Sequence, residues 1–195
     1  MYRDVLRDAH FHALLLRIDH EKLEEVRKGR CPHCEGPLHA GHFARKPRGF
    51  GLREGLVPEG YETRFGLCCG WCRQRTLPES VRFLGRKVYL AATVAVATVL
   101  VRGAERGAVK LLRGTLGVSW STLARWRRWW QELTGSGFWK RLGGQLPVGL
   151  DVAALPTSLL DSFAGDPAER LLRLLRLLGP LTGSSRSRCL PAAER

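Results

Sequence analysis

The sequence predicts a mainly α-helical fold interrupted by one small β-rich segment, and three observations carry that reading. Helical spacing of apolar residues runs through the first 29 positions and resumes at Ser80. Between them, Gly and Pro recur too often for any helical period to survive. Five of the six cysteines fall in two tight groups within or at the ends of that irregular stretch. At 195 residues, with 44% hydrophobic and 26% charged residues, the chain is globular in composition. It has room for one domain or two small ones, but not for a polymerase or a large hydrolase.

Residues 1–30 form a helical lead-in. Leu14, Leu15, Leu16 and Ile18 supply apolar surface, and Asp19 is placed to cap a helix His20–Lys28 that stops at Gly29. Acids in the opening turns and the lack of a small-residue cleavage site argue against a secretory signal. Residues 31–79 form the β segment, punctuated by Gly36-Pro37, Pro47, Gly49, Gly51, Gly55, Pro58 and Gly60. Its best strands are Tyr61–Leu67 and Arg73–Leu77. So little apolar content cannot hold such a segment together, and a staple is needed.

Residues 80–134 return to helix, with elements over Val81–Val101, Glu105–Leu116 and Trp120–Leu133. The apolar run Val88–Val101 has 14 residues between Arg86-Lys87 and Arg102, too short to span a bilayer. The sequence therefore reads as a cytoplasmic protein with no membrane association. Gly135-Ser136-Gly137 marks a break. The remainder, 135–195, is a small helical tail with helices over Pro156–Phe163 and Ala168–Leu178 and a frayed end from Gly183. Asp161 and Asp166 read as helix-end residues, and His10 and His12 as structural ones.

The cysteine groups are Cys31-Pro-His-Cys34 and Cys68-Cys69-Gly-Trp-Cys72. A Cys-x-x-Cys turn sets two thiolates on one side of a knuckle, and two knuckles make the tetrahedral sulfur cage that zinc prefers. Cys31, Cys34, Cys69 and Cys72 are the expected ligands, with Cys68 as the alternative to Cys69. His33, His39 and His42 are weaker candidates, and Cys189 is incidental. A disulfide framework conflicts with the missing export signal. A redox dithiol would need a βαβ unit that is not visible. Four thiolates close the shell, so the expected Zn2+ is structural. The β segment is accordingly a zinc ribbon.

The charge balance points to the partner. There are 32 Lys+Arg against 18 Asp+Glu, a net +14 and a pI near 10.4. Residues 73–141 hold 14 of those cations and only three acids. Such a surface attracts polyanions, nucleic acid before an anionic membrane. Arg45-Lys46-Pro-Arg48 lies on a loop stiffened by Pro and Gly, where phosphates can be met with little loss of loop entropy. Downstream, Gly117 is placed to end one helix, Val118 to plug an interhelical space and Ser119 to cap the next helix. Leu123, Trp126 and Trp130 fall on an inward face. Ser121, Thr122, Arg125 and Arg128 fall outward, on the part of a recognition helix that enters the major groove. This is the signature of a helix-turn-helix bundle.

Together, the Cys-Pro-x-Cys knuckle, a second knuckle followed by Arg73-Gln-Arg75, and Leu116-Gly-Val-Ser119-x-x-Thr122-Leu-x-Arg125-Trp126 resemble the DNA-binding front half of insertion-sequence transposases. The resemblance covers about residues 31–130. It implies zinc-ribbon and helix-turn-helix modules that bind element ends, and a separate catalytic half with a widely spaced acidic triad. After Leu133 the acids are Asp151, Asp161, Asp166, Glu169 and Glu194, with no strand run to position them.

The expected role is sequence-directed binding of double-stranded DNA without catalysis, for a mobile element, alongside a transposase or through self-association. Ser121, Thr122, Arg125 and Arg128 would read base edges; Arg45, Lys46, Arg48, Arg73 and Arg75 would hold phosphates. Two other classes stay open: a shortened transposase or nuclease, and a transcriptional regulator or protein-interaction module.

Overall fold

Helix boundaries follow local chemistry closely. A computed structural model describes residues 1–48, 55–84, 89–101 and 118–188. After a short helix α1 (Tyr2–Val5), Asp8 accepts a hydrogen bond from the His10 amide and starts α2 (Ala9–Lys28). Arg27 and Lys28 occupy its last turn, where the dipole favours cations, and Gly29 ends it. The helix therefore runs straight through Asp19, which the sequence had suggested as a cap. Phe11, His12, Leu15, Ile18, Asp19 and Leu23 form one buried stripe, so Asp19 points inward from mid-helix. His12 is structural, as expected. It is buried between Tyr61 Oη (3.1 Å) and the Leu6 carbonyl (2.9 Å), and burial pushes its pKa down.

The β segment is smaller than its expected strands. A four-stranded antiparallel sheet has the order β1 (Leu38–Ala40), β4 (Leu67–Cys69), β5 (Gln74–Leu77), β6 (Ser184–Arg188), and β2 (Phe43–Ala44) pairs with β3 (Thr63–Arg64). The expected strand Tyr61–Leu67 splits at Phe65-Gly66, where the chain passes from one sheet to the other. Gly66 comes so close to Gly41 that a Cβ would lie 3.1 Å from the Gly41 oxygen. Arg73 has φ +59, so β5 begins one residue later than expected. Ser184–Arg188, expected as a frayed end, pairs with β5; a run of Ser and Arg has no apolar alternation to announce it.

Of the expected helix Val81–Val101, only α3 (Ala91–Val101) is helical among the described residues, and Ser80–Leu84 is irregular. α3 is buried from Ala91 to Thr98, which makes it the central helix of the body. The expected helix Glu105–Leu116 lies outside the described residues. α4 (Trp120–Thr134), α5 (Gly137–Leu142), α6 (Thr157–Ser162) and α7 (Pro167–Leu178) are the other α-helices among the described residues, with Ser119, Ser136 and Asp166 as N-caps of α4, α5 and α7. Three of the late acids serve local structure, and Glu194 lies outside the described residues. Asp151 caps a short 3-10 turn, Asp166 and Glu169 close a capping box at α7, and Asp161 is exposed. Among the described residues, one apolar core runs from Tyr2 to Leu178 through all seven helices. A second, small one under the sheet holds Leu23, Cys31, Leu38, Phe65, Leu67 and Cys69.

Ser80–Leu84 is irregular because its polar groups bond elsewhere. Arg82 is wholly buried, and its Nε donates to Asp19 Oδ2 at 2.8 Å. Its other nitrogens donate to the carbonyls of Tyr61 (2.5 Å) and Thr63 (3.0 Å), and its guanidinium sits 4.6 Å from the Phe65 ring centroid. The Ser80 hydroxyl (2.5 Å) and the Val81 amide (2.7 Å) donate to the two Asp19 oxygens. Arg64, also buried, donates to the Pro78, Phe65 and Thr182 carbonyls. These bonds join α2, the β segment, the linker to α3 and the chain after α7.

Removing one partner of a buried ion pair strands the other charge and costs about 3–5 kcal/mol. Arg82→Met is therefore expected to lower stability by about that amount in urea unfolding, with Asp19→Asn/Arg82→Met less destabilised than the sum of the single changes. Additive single effects below about 1 kcal/mol, the usual worth of a surface pair, would contradict this account.

Candidate metal centre and basic helix face

Two knuckles of the same shape build the sulfur site. In the first, the Glu35 amide donates to the Cys31 carbonyl (2.9 Å) and the Cys31 amide to the Gly36 carbonyl (3.0 Å). In the second, the Trp71 amide donates to Cys69 Sγ at 3.4 Å. Glu35 and Arg73, each the residue after the second cysteine of its pair, both have φ +59. That left-handed residue turns the chain back after each pair. The Gly70 amide donates to the Pro37 carbonyl (2.9 Å) and joins the knuckles, while Leu38 opposite Cys69 fixes their register.

The result brings Cys31, Cys34, Cys69 and Cys72 together with all four sulfurs within 4.8 Å. Cys31 Sγ lies 3.6 Å from Cys72 Sγ, and Cys34 Sγ lies 3.5 Å from Cys69 Sγ. Metal–sulfur bonds of 2.3 Å in a tetrahedron require sulfur separations of about 3.8 Å. The four cysteines are thus positioned to hold a metal ion. Burial pushes the Cys69 thiol up, but the backbone amides of Cys72 and Trp71 and the thiols of Cys34 and Cys72 outweigh it and bring it down to about 6. The Gln74 amide pulls Cys72 down, yet burial and the thiols of Cys34, Cys31 and Cys69 push it up to about 12. One thiolate is favoured and further ones repel, which is the condition a cation relieves.

Cys68, the alternative ligand, is on the opposite face of β4, in register with His39, and is disulfide-bonded, which corrects the expectation that set disulfides aside. Cys69 is the residue in the cage. No histidine is in the cluster: His42 Nδ1 accepts from the Gly66 amide at 3.2 Å, while His33 and His39 are exposed.

The expected phosphate-binding cations divide by environment. Lys46, Arg48 and Arg73 are exposed. Arg45 and Arg75 are half-buried, with guanidinium carbons 5.3 Å and 5.0 Å from the ring centroids of Phe83 and Phe43. The loop that carries Arg48 is not loose, since the Arg48 carbonyl accepts from the Leu90 amide at 2.8 Å.

On α4, Ser119 caps the helix by accepting from the Thr122 amide, and Val118, Leu123, Trp126 and Trp130 are buried as the spacing predicts. Tyr89 meets Trp126 edge-on, with centroids 5.0 Å apart. Ser121, Arg125 and Arg128 are exposed. Thr122 turns inward instead. It is 7% exposed, and its hydroxyl is bonded to Ser119 Oγ (2.9 Å) and accepts from Arg125 Nη2 (3.3 Å). The solvent face also carries Trp120, Ala124, Arg127 and Gln131, which sequence reasoning passed over. Gly117, the expected end of the preceding helix, lies outside the described residues.

Gly36 went unnoticed as part of the metal site, although it sits in the first knuckle. A Cβ there would lie 2.9 Å from both Cys69 Sγ and Trp71 Cδ2. Gly36→Ala is expected to weaken metal binding about 10- to 100-fold, the range for changes just behind metal ligands. Competition against a chromogenic chelator measures it, and unchanged affinity would refute the packing described. The chain matches no protein-family model, no curated protein and no solved structure.

Proposed function

We propose that this protein is a zinc-stabilised, sequence-directed double-stranded DNA-binding protein that serves a mobile element and performs no catalysis of its own. The observation that carries the reading is the solvent face of α4. It presents Ser121, Arg125, Arg127, Arg128 and Gln131 with no acid before Glu132, on a helix anchored from behind by Trp126 and Trp130. A helix about 10–12 Å across fits the B-DNA major groove, about 12 Å wide, and not the deep, narrow groove of A-form RNA. Arg125 and Arg128 suit guanine, and Gln131 suits adenine. Lys46, Arg48 and Arg73 supply phosphate contacts.

Zinc is the metal the ligand set favours, because four thiolates in a tetrahedral cage match its preference. With the shell closed by protein sulfur, its role is to hold the ribbon. The partners that fit are duplex DNA and, through it, a transposase or a second copy of the chain.

Selection from random duplexes followed by anisotropy titration tests the reading. Arg128→Ala is expected to narrow the gap between the selected site and random duplex by roughly 1–3 kcal/mol. Arg48→Ala should weaken both about equally and lower the salt slope by about one. Failure to enrich any sequence, or parallel loss in both variants on every duplex, would rule out reading by α4.

A further inference from the structure

Trp71 has a setting that the duplex-binding reading leaves unused. It is the residue between Gly70 and the ligand Cys72, and it is 67% exposed. Its backbone cannot drift, because its amide donates to Cys69 Sγ and two cage cysteines flank it within two residues. Its ring lies against Gly36 as well. A Cβ at Gly36 would fall 2.9 Å from Cδ2 and 3.0 Å from Cε3 of the indole. Cδ2 is a ring-fusion carbon, enclosed in the ring plane by its bonded neighbours, so so close an approach comes over the face of the ring. One face of the indole thus rests on Gly36, and most of the remaining ring surface is open to solvent.

The surroundings are mainly cationic. Arg73 follows Trp71 at one remove and is exposed. Arg30 Nη1 donates to the Glu35 carbonyl at 3.2 Å, which keeps its guanidinium at the first knuckle. Arg27 and Lys28 end the helix that leads into that knuckle, with Arg27 paired to Glu24 at 3.5 Å, and Glu35 is the acid at the knuckle itself.

We infer that Trp71 is a stacking platform for an unpaired base, and that this end of the ribbon binds single-stranded nucleic acid. A ring held against backbone on one side and open on the other accepts one further flat π-surface with little loss of side-chain entropy. In a duplex both faces of each base are covered by its neighbours, so only an unstacked base can use the platform. The flanking arginines meet the phosphates on either side of that base. The inference rests on the nucleic-acid reading but not on α4: the ribbon end would engage a frayed or single-stranded stretch while the helix takes the duplex.

The test uses the full, metal-loaded chain and three fluorescent probes: a twelve-nucleotide oligothymidylate, an abasic strand of equal length, and a random duplex. The unaltered protein is expected to bind oligothymidylate about tenfold more tightly than the abasic strand, the scale of one base stacked on an aromatic ring. Trp71→Ala should remove that difference, Trp71→Phe should keep most of it, and neither should change duplex binding. Equal affinity for the two single strands in the unaltered protein overturns the proposal whatever the variants do, so a ribbon that fails to fold with alanine does not shield it. Loss of thymidylate and abasic binding in parallel in Trp71→Ala also overturns it. Duplex binding without single-strand binding sinks the platform and leaves the α4 reading standing. Binding to none of the three probes removes both.

Discussion

Four thiols brought within 4.8 Å of one another cannot all ionise without a cation among them, and the β segment is built around that constraint. The segment contributes five buried residues to the small core that it shares with Leu23 of α2, and two of the five, Cys31 and Cys69, are members of the cage. Core and metal site are the same object. The knuckles fix the β1–β4 register, and the register sets Leu38, Leu67 and Phe65 under the sheet. A segment with so small a core would gain much of its folding free energy from a metal bound in the cage.

The buried Asp19–Arg82 pair carries that order into the helical body. Arg82 bonds the Tyr61 and Thr63 carbonyls in the β segment and the Asp19 carboxylate in α2, so the linker to α3 takes its shape from both sides. Apolar packing alone would hold α2, α3, α4 and α7 together, but hydrogen bonds with this directionality fix one arrangement of ribbon on body. Tyr61 shows the same coupling from the ribbon side, since its hydroxyl meets His12 inside the large core. The ribbon and the α4 face therefore belong to one framework, as the proposed bivalent grip on DNA would require.

Much of this was legible in the sequence, for reasons that are local. The cysteine spacing named the cage because a Cys-x-x-Cys turn is a closed geometric unit. Leu123, Trp126 and Trp130 named the inward face of α4 because helical period alone determines it. What was missed is non-local. Asp19 looked like a cap because its partners are 61 to 63 residues away in sequence. Val81–Leu84 looked helical because their apolar spacing hides the bonds that Arg82 makes. Thr122 looked outward because its position lies at the edge of the buried stripe, where capping chemistry at Ser119 decides the orientation. β6 was invisible because an edge strand of Ser and Arg is defined by its neighbour β5.

The most direct measurement of the account is metal stoichiometry, made on protein purified under reducing conditions without added metal. One zinc per chain is the result required, with removal by a strong chelator melting the sheet as read by amide exchange while α4 and α7 keep their protection. Protein that contains no metal yet shows the same protected sheet would contradict it, because the ribbon would then be held by something other than the four sulfurs.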